Sequence, residues 1–574
     1  MLASEVKSFN GRPTLFIDGE AVPALGYVTY MPERGCFRQF GEAGYRIFSV
    51  VASFGGQSIN PSTNIPSFVP GIFRDKGKAD FSDFDAVVDR LIAEVPNALI
   101  FPRVNCSMPR WWEEEHPEEC NFTGFNGGGE PRSCFASDAY RAEARRMLKI
   151  FIDHLKSMAC SDHFFGIQVA GGKTEEFLSF DNQGNDGLRA REKFAAEFPD
   201  GGEIAYRRFL SRMTAEAVED LAAFAKKETD FRMVVGAFYG YLFETPSWKS
   251  GHHSLRKLLD SPNLDFFASP ISYVDRLEPG RSWFLMVPQA SHCAHGKLYL
   301  GECDVRTFLT RPMNECRPGT DPAGIYGSGL WVGPEDEEKS RWHLRMNFLR
   351  QMAYGYGSWW FDMWGGWFDS PGMMADMADF VRLAGVFLRD RRRASVARCA
   401  LWIDETSLAE IAENWDMRRS KFGRGALEQS GIPYDCYELG DFEKFSGRYC
   451  CQFFIAPTDG GKLPQAWEFC RKHGMPFMIL TGRDPIDPAS VRDFAEKAGA
   501  FCYCCDHNAA VYVSENLIGV CAPESGTYTL QLPTERRWMP LFDHGEAGFD
   551  GMSVSLDLVQ GEVVGFRLEE STAI

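Results

Sequence analysis

The sequence predicts an α/β protein whose largest part is a (β/α)8 barrel, and three observations lead to that expectation. Short apolar runs alternate with longer amphipathic segments from about residue 24 to residue 390. Eight of these runs have the length and composition of buried strands. The span also lies within the roughly 200 to over 400 residues that such barrels occupy when their loops are enlarged. The eight predicted strands cover residues 25–30, 45–51, 98–104, 164–170, 231–238, 264–269, 297–301 and 357–361.

Helices are predicted between several of these strands. Residues 137–158 and 204–228 carry apolar side chains at i, i+3, i+4 and i+7, which is the spacing of one helix face. Before the first barrel strand, FNGRPTLFIDGEAVP indicates a hairpin with an Asp-Gly turn.

A chain of 574 residues is too long for one hydrophobic core, so further domains are expected after the barrel. We assign residues 1–393 to the barrel and its N-terminal hairpin. After RDRRRAS, strand and helix patterns alternate again over residues 394–505, which predicts a smaller doubly wound α/β domain. Residues 506–574 contain only strand patterns and predict a small β-sandwich-like domain.

Composition restricts the partners. A net charge of −18 argues against nucleic acid or an anionic membrane surface, because phosphate groups require clustered Lys and Arg. No run reaches the ~18 apolar residues that cross a bilayer, and the first residues lack a signal-peptide pattern. The 17 cysteines are scattered and odd in number, which favours reduced thiols in a cytoplasmic protein.

No cofactor is predicted, and no metal. His292, Cys293 and His295 in SHCAH lack a fourth ligand and the usual zinc spacing. The DNQGNDG segment (181–187) lacks the twelfth-position Glu of a calcium loop and is interpreted as a turn.

Acidic residues follow two of the predicted strands. In GIQVAGGKTEEFLSF, Glu175 and Glu176 come directly after the fourth strand, and in KLYLGECDVRT, Glu302 follows the seventh. Either position alone is most simply a loop residue of an acidic chain. Together they lie at the end of a barrel where active sites form. A pair of carboxylates is what glycoside cleavage requires, one to protonate the leaving oxygen and one to attack or to activate water.

Other strand ends supply residues suited to binding a sugar. Arg103 follows the third strand, Tyr273 the sixth, and Arg306 comes one turn beyond Glu302. Aromatic rings stack on the apolar faces of sugars, although large aromatic side chains also fill cores. The candidate sugar contacts in the remaining sequence are Trp359, Trp360 and Trp364 at the eighth strand and His292 before the seventh.

The order of barrel, small α/β domain and short β domain resembles the family 42 β-galactosidases of clan A glycoside hydrolases over nearly the whole chain. The similar segments are VAGGKTEEF, LGECDVRT and WWFDMWGGWF in the barrel, and WIDETSLAE and LEQSGIPYDCYEL in the middle domain. The resemblance implies a retaining mechanism with Glu302 as nucleophile, supporting roles for Arg103, Tyr273 and Trp360, and a homotrimer.

One departure from the family pattern concerns the fourth strand. The clan places Asn-Glu there, whereas this chain has Thr174-Glu175-Glu176. Divergent related sequences resemble Gly-x-Thr-x-Glu-Trp, so the resemblance assigns the acid/base role to Glu176 and leaves Glu175 as a substrate contact. The four-cysteine zinc cluster of many members is not recognisable, because Cys106, Cys120, Cys134 and Cys160 are too widely spaced.

We therefore expect a retaining, exo-acting β-glycosidase, specifically a β-D-galactosidase acting on oligosaccharides. One alternative keeps the mechanism and changes the sugar to an arabinopyranoside, a fucoside, a mannoside or a sulfated galactan fragment, whose anion Arg103, Arg306, His292, His295 or Lys297 would contact. Another is a carbohydrate-binding protein on an inactive barrel. Amidotransferase-like chemistry in the middle domain is weakly indicated, since its cysteines lack a nucleophile-elbow context.

Overall fold

The chain begins with a small antiparallel sheet beneath the barrel. The computed structural model describes residues 1–60, 65–125, 128–178, 187–244, 250–274, 276–411, 417–482, 485–542 and 548–571. Strands β1 (Ser4–Phe9), β2 (Arg12–Ile17) and β3 (Glu20–Val22) pair in sequence order. Both turns, Asn10-Gly11 and Asp18-Gly19, have positive φ at each central residue, as two-residue hairpins require. The predicted hairpin is confirmed and has a third strand.

The barrel closes through ten parallel strand segments that make up eight positions. Val50 interrupts the second position, and residues 101–102 interrupt the third. The eighth position pairs with the first, which closes the ring. The predicted barrel is thereby confirmed, with each predicted strand found at its place. The strands are β4 (Leu25–Val28), β5 (Ile47–Ser49), β6 (Val51–Ser53), β7 (Leu99–Ile100), β8 (Arg103–Asn105), β9 (Cys120–Phe125), β10 (Gly128–Ser133), β11 (Gly166–Ala170), β12 (Val234–Phe238), β13 (Phe266–Pro270), β14 (Leu298–Cys303) and β15 (Gly357–Phe361), of which β9 and β10 form a separate hairpin.

Helices cover the outside of the barrel because the strands are buried on both faces. In the first of the two segments predicted from periodicity, Ser137 caps the N-terminus by accepting a hydrogen bond from the Tyr140 amide, and Tyr140, Ala144 and Leu148 form part of the buried face. The helices are α1 (Phe37–Glu42), α2 (Ser82–Glu94), α3 (Arg110–Glu115), α4 (Asp138–Ser157), α5 (Leu188–Glu197), α6 (Glu203–Glu228), α7 (Leu255–Leu259), α8 (Gln289–Ala294), α9 (Met313–Cys316), α10 (Glu337–Tyr354) and α11 (Pro371–Arg389).

A second, smaller sheet follows the barrel. Its four strands are parallel, with β16 between β17 and β18 and with β19 at one edge. Every residue of β16 and β18 is buried, as expected for the centre of a sheet with helices on its faces. The elements are β16 (Cys399–Ile403), α12 (Met417–Glu428), β17 (Tyr434–Glu438), α13 (Phe442–Phe445), β18 (Cys451–Ile455), α14 (Leu463–His473), β19 (Phe477–Leu480) and α15 (Pro488–Lys497).

The C-terminal part is all β, as predicted, and its strands form a single five-stranded antiparallel sheet in the order β20-β21-β24-β22-β23. The sheet packs on α10 of the barrel. A Cβ added at Gly519 or Gly565 would come within 2.7 Å of Leu349, so only glycine allows this approach. The strands are β20 (Ala510–Ser514), β21 (Leu517–Cys521), β22 (Gly526–Pro540), β23 (Phe549–Leu558) and β24 (Val563–Glu569). Among the described helices, none combines the length and apolar character that crossing a bilayer needs.

Candidate active site

The carboxylate of Glu302 lies inside the barrel near the C-terminal end of β14. It is buried, with 4% of its surface exposed. Trp359 is its lateral neighbour in the parallel pairing of β14 with β15, so both side chains face the same way. The Trp359 indole donates to Oε2 of Glu302 at 2.9 Å, and Nη2 of Arg103 donates to the same oxygen at 2.7 Å. Burial raises the pKa of Glu302, while Arg103 and Trp359 act in the opposite direction.

Arg103 connects four strand positions of the barrel. It is 1% exposed, and its Nε donates to Oε1 of Gln168 at 3.2 Å. Its Nη1 lies 3.4 Å from the Tyr30 hydroxyl and 3.9 Å from the Glu175 carboxylate. Burial opposes the charge, but Glu302, Tyr30 and Glu175 outweigh it and raise the pKa of Arg103. This guanidinium therefore stays charged and holds Glu302 in its ionised form.

The turn after β11 carries the two adjacent glutamates on a strained backbone. Thr174, Glu175 and Phe177 have φ values of 56°, 67° and 54°, a left-handed region that costs side chains about 1–3 kcal/mol each. The amide of Phe177 donates to the Gly171 carbonyl at 2.7 Å, and the amide of Thr174 donates to the Ile59 carbonyl at the same distance. These contacts stabilise a conformation that aims consecutive side chains at different partners.

Glu175 and Glu176 consequently have different surroundings. Glu175 is 3% exposed and accepts a hydrogen bond from the Tyr30 hydroxyl at 3.0 Å. Glu176 is partly exposed and accepts hydrogen bonds from the Tyr241 hydroxyl, at 2.9 Å, and from the hydroxyl of Thr174. The more accessible carboxyl group is therefore that of Glu176.

His252 fixes the backbone of Glu176. Burial lowers the pKa of His252 to about 3, so its ring is neutral at ordinary pH. Its Nε2 lies 2.9 Å from the Glu176 carbonyl, and its Nδ1 is 3.4 Å from the Tyr241 amide. A neutral ring satisfies both contacts when Nε2 carries the hydrogen and Nδ1 accepts.

Burial raises the pKa of both glutamates, but different neighbouring charges act on each. Burial raises the pKa of Glu176 to about 7, and the charge of nearby Glu302 adds to that rise. Burial also raises the pKa of Glu175 to about 7, against the effect of Arg103. At neutral pH, Glu176 is an accessible carboxyl group that can hold and release a proton beside the carboxylate of Glu302.

Tyr273 and Arg306 lie next to this centre and contact Asp304. The Tyr273 hydroxyl donates to Oδ2 of Asp304 at 2.8 Å, and Nη1 of Arg306 donates to the same oxygen at 2.7 Å. Neither side chain makes a hydrogen bond to Glu302 in the described structure. Both side chains donate instead to Asp304, which follows Glu302 by two residues and is 1% exposed.

Three predicted sugar contacts are corrected by the structure. His292 lies on α8, which precedes β14, so its fully buried ring packs between Phe267 and Tyr299 at the opposite end of the barrel. Trp360 points out of the barrel, stacks on Phe380 and donates to the Tyr45 hydroxyl at 2.7 Å.

Trp364 is also fully buried, and its indole donates to the Arg311 carbonyl at 2.8 Å. His295 and Lys297, offered as anion contacts, lie at the same end as His292. His295 is 3.0 Å from Asp441 of the second sheet region, and Lys297 binds the Leu264 carbonyl at 2.7 Å. Strand alternation accounts for Trp360, and the position of α8 before β14 accounts for His292, His295 and Lys297.

Four site residues were not predicted from the sequence: Tyr30, Gln168, Tyr241 and Asp304. Tyr30 ends the first predicted strand and Tyr241 follows the fifth, so the strand-end rule that selected Arg103 also selects them. Gln168 is inside a strand, and only the lateral pairing with Arg103 shows its role.

Within the described ranges, the group of side chains that could hold a metal ion lies outside the barrel site. Cys399, Cys450 and Cys451 place their sulfur atoms within 4.8 Å of one another. Cys399 and Cys451 are the first residues of neighbouring strands β16 and β18, and their sulfurs are 3.2 Å apart. The DNQGNDG segment interpreted as a turn is outside the described residues over positions 181–186.

Comparison with known proteins shows a likeness in structure without a likeness in sequence. No protein-family model matches the chain, and no curated protein matches it significantly. A β-galactosidase from Bacillus circulans sp. alkalophilus superposes with a TM-score of 0.62 at 11% identity, over 95% of this chain and 99% of that one. The β-galactosidase from Marinomonas ef1 gives 0.60 at 13% identity, over 95% and 100%.

An exo-carrageenase GH42 from Bacteroides ovatus gives a TM-score of 0.59 at 12% identity, over 99% of this chain and 85% of that chain. Similarity at this level of identity establishes a common fold along the whole chain. The resemblance to family 42 β-galactosidases drawn from the sequence is thus confirmed at the level of the fold, including the two parts that follow the barrel.

Proposed function

We propose that the protein is a retaining, exo-acting β-glycosidase, and specifically a β-D-galactosidase acting on oligosaccharides. The observation that carries the proposal is the pair of unlike carboxyl groups at the C-terminal end of the barrel. Glu302 accepts hydrogen bonds from two donors, Arg103 and Trp359, which favour its ionised form. Glu176, with a pKa raised to about 7, holds a proton at neutral pH and is partly exposed.

In the proposed reaction, Glu176 protonates the glycosidic oxygen while Glu302 attacks the anomeric carbon. The C–O bond to the leaving group breaks, and an ester forms between the sugar and Glu302. Glu176, now ionised, then takes a proton from water, which attacks the anomeric carbon and releases Glu302. The β configuration is retained because the sugar is inverted twice.

The first test is hydrolysis of aryl glycosides. Wild type is expected to release the phenol from the β-galactoside, with the β-anomer of galactose appearing first in the NMR spectrum. Glu302→Gln should abolish turnover, whereas the matched control Glu203→Gln, an exposed residue on α6, should keep it. A 2-deoxy-2-fluoro β-galactoside should add its sugar to the peptide containing Glu302, as seen by mass spectrometry.

A second candidate keeps the mechanism and changes the sugar. Glu175 stands where the clan resemblance places an asparagine, so a carboxyl group replaces an amide beside Arg103. Turnover of an arabinopyranoside, fucoside, mannoside or sulfated galactoside in place of the plain galactoside would favour this candidate. Sugar binding without turnover of any glycoside would contradict both and indicate a binding protein.

We further propose a homotrimer, as the same resemblance implies. Light scattering on a size-exclusion column should give three times the monomer mass. A monomer or a dimer would contradict this proposal and leave the proposed chemistry untouched.

A further inference from the structure

A cavity of about 450 Å³ lies beside the candidate site and is distinct from the carboxylate pair. It is bounded by the segment after β13, the segments that follow β14 and the first half of α10. Trp283 and Trp342 supply apolar walls, and Arg276, Arg306, Lys339 and His343 supply the polar ones. A pocket with apolar walls and a few convergent polar groups has the composition of a ligand site.

Arg306 lines this pocket, and one hydrogen-bonding edge of its guanidinium is unused. Arg306 is 5% exposed, and its Nη1 donates to the carbonyl and the carboxylate of Asp304 at 2.6 and 2.7 Å. Its Nε and Nη2 atoms are buried and have no acceptor among the described residues. These two nitrogens form one edge of the guanidinium, the fork that binds an oxoanion through two parallel hydrogen bonds.

The orientation of that edge is held by aromatic rings. The guanidinium carbon of Arg306 lies 4.3 Å from the centre of the Trp331 ring and 5.3 Å from that of Trp367. Cation–π contacts stabilise the charge but accept no hydrogen bond from the edge. Two buried N–H groups left without an acceptor are costly, and an incoming anion removes that cost.

Buried charges of both signs surround the pocket, and a carboxylate holds its two arginines in place. Arg276 and Arg306 share the carboxylate of Asp304, each at 2.7 Å, and all three side chains are at most 5% exposed. Glu244 faces Arg276 from the other side and is held by the Ser272 hydroxyl and the Tyr273 amide.

At the rim, Lys339 and the largely exposed Glu335 form an ion pair. The ring of His343, which burial keeps neutral by lowering its pKa to about 4, has a buried Nδ1 without a partner among the described residues. Among the described groups that line the pocket, the unused ones are the guanidinium edge of Arg306 and the imidazole Nδ1 of His343.

We propose that this pocket binds an anionic group carried by the sugar substrate, a sulfate ester or a carboxylate. The inference rests on the proposed function, since the pocket is placed by the strand end that carries Glu302. Asp304 and Arg306 follow Glu302 by two and four residues, and two residues of extended chain span about 6.6 Å. Nη1 of Arg306 is bonded to Asp304, and the proposal places the charged substituent of a sugar bound at Glu302, or of the adjoining sugar, on the free edge of this guanidinium.

The test measures binding by calorimetry with five probes: methyl β-galactoside, its 4-sulfate and 6-sulfate esters, methyl galacturonoside and inorganic sulfate. At least one anionic sugar should bind wild type about tenfold or more tightly than the neutral galactoside. Arg306→Met should remove that advantage, so that the anionic and neutral sugars bind the variant with equal affinity. The matched control Arg382→Met, an exposed arginine on α11, should change neither.

Equal affinities of wild type for neutral and anionic sugars would overturn the proposal, and so would binding of inorganic sulfate alone. If Arg306→Met does not fold, Arg306→Lys keeps the charge and removes the fork, so the advantage should fall by about the same factor. Failure of the proposed function would be seen in a separate measurement. Wild type would then hydrolyse no glycoside, regardless of the affinities measured for the sugars.

Discussion

Nη2 of Arg103 lies 2.7 Å from Oε2 of Glu302, although 199 positions separate the two residues in the chain. The pair joins the third and seventh strand positions across the interior of the barrel. Because both side chains are almost fully buried, each depends on the other for its charge. This contact decides which carboxyl group of the site is ionised, and the first prediction concerns it.

Replacing Arg103 with methionine leaves Glu302 buried without its cation. The pKa of Glu302 should rise, so the acid limb of the kcat/KM profile should move to higher pH, and the free energy of unfolding should fall by about 3 kcal/mol. A pH–rate profile and urea denaturation measure the two effects. The control Arg146→Met, at an exposed position on α4, should leave both unchanged.

Two neighbouring tryptophans should behave differently. Trp359→Phe removes a donor to the ionised Glu302, so the pKa of Glu302 should rise and the acid limb should shift upward by less than about one unit. Trp360→Phe removes a hydrogen bond to Tyr45 outside the barrel and should cost about 1 kcal/mol of stability without moving the limb. Equal shifts of the pH profile in both variants would contradict the assigned orientations.

The basic limb of the pH profile of kcat/KM should reflect the deprotonation of Glu176. The reaction needs this group protonated, so kcat/KM should fall as pH rises through about 7. Glu176→Gln should remove the limb and lower the rate about 10²–10⁴-fold for substrates with poor leaving groups. Dinitrophenyl glycosides, whose leaving group needs no proton, should be hydrolysed nearly normally in the first step.

Glu175→Gln distinguishes the adjacent carboxyl groups. This variant should retain the basic limb and raise KM, because Glu175 faces Arg103 and Tyr30 and is almost fully buried. Loss of the limb in Glu175→Gln and its survival in Glu176→Gln would reverse the roles of the two residues.

Glu113 should make stability depend on pH. It is 1% exposed, and burial raises its pKa to about 8 against the effects of Arg132 and Ser133. Since the folded pKa lies above the unfolded value of 4.5, its favourable contribution is complete below about pH 4.5 and is lost as pH rises through about 8. Glu113→Gln should therefore flatten the decline in urea-measured stability between about pH 4.5 and 8. Glu114→Gln, at an exposed site, should leave the decline in place.

The sequence predicts the eight barrel strands and the carboxylates at the ends of two of them, because both features depend only on neighbouring residues along the chain. Runs of apolar residues flanked by helical periodicity predict buried strands, and a strand's end is defined along the chain. Glu176, Glu302 and Arg103 were selected in this way, and the structure brings them together. His292 was misplaced because it precedes the seventh strand: it lies on α8, at the end of the barrel opposite the carboxylates.

The sequence by itself determined the class of fold, the order of its three parts and the strand ends at which carboxyl groups gather. Only the tertiary structure decided which side chains face inward and which partners they meet. Trp359 and Trp360 are adjacent in sequence, yet the alternation of a strand places one on Glu302 and the other in the helix layer. The pairing of Arg306 with Asp304 is local, but the contacts of Arg306 with Trp331 and Trp367 join distant segments, which meet only once the chain is folded.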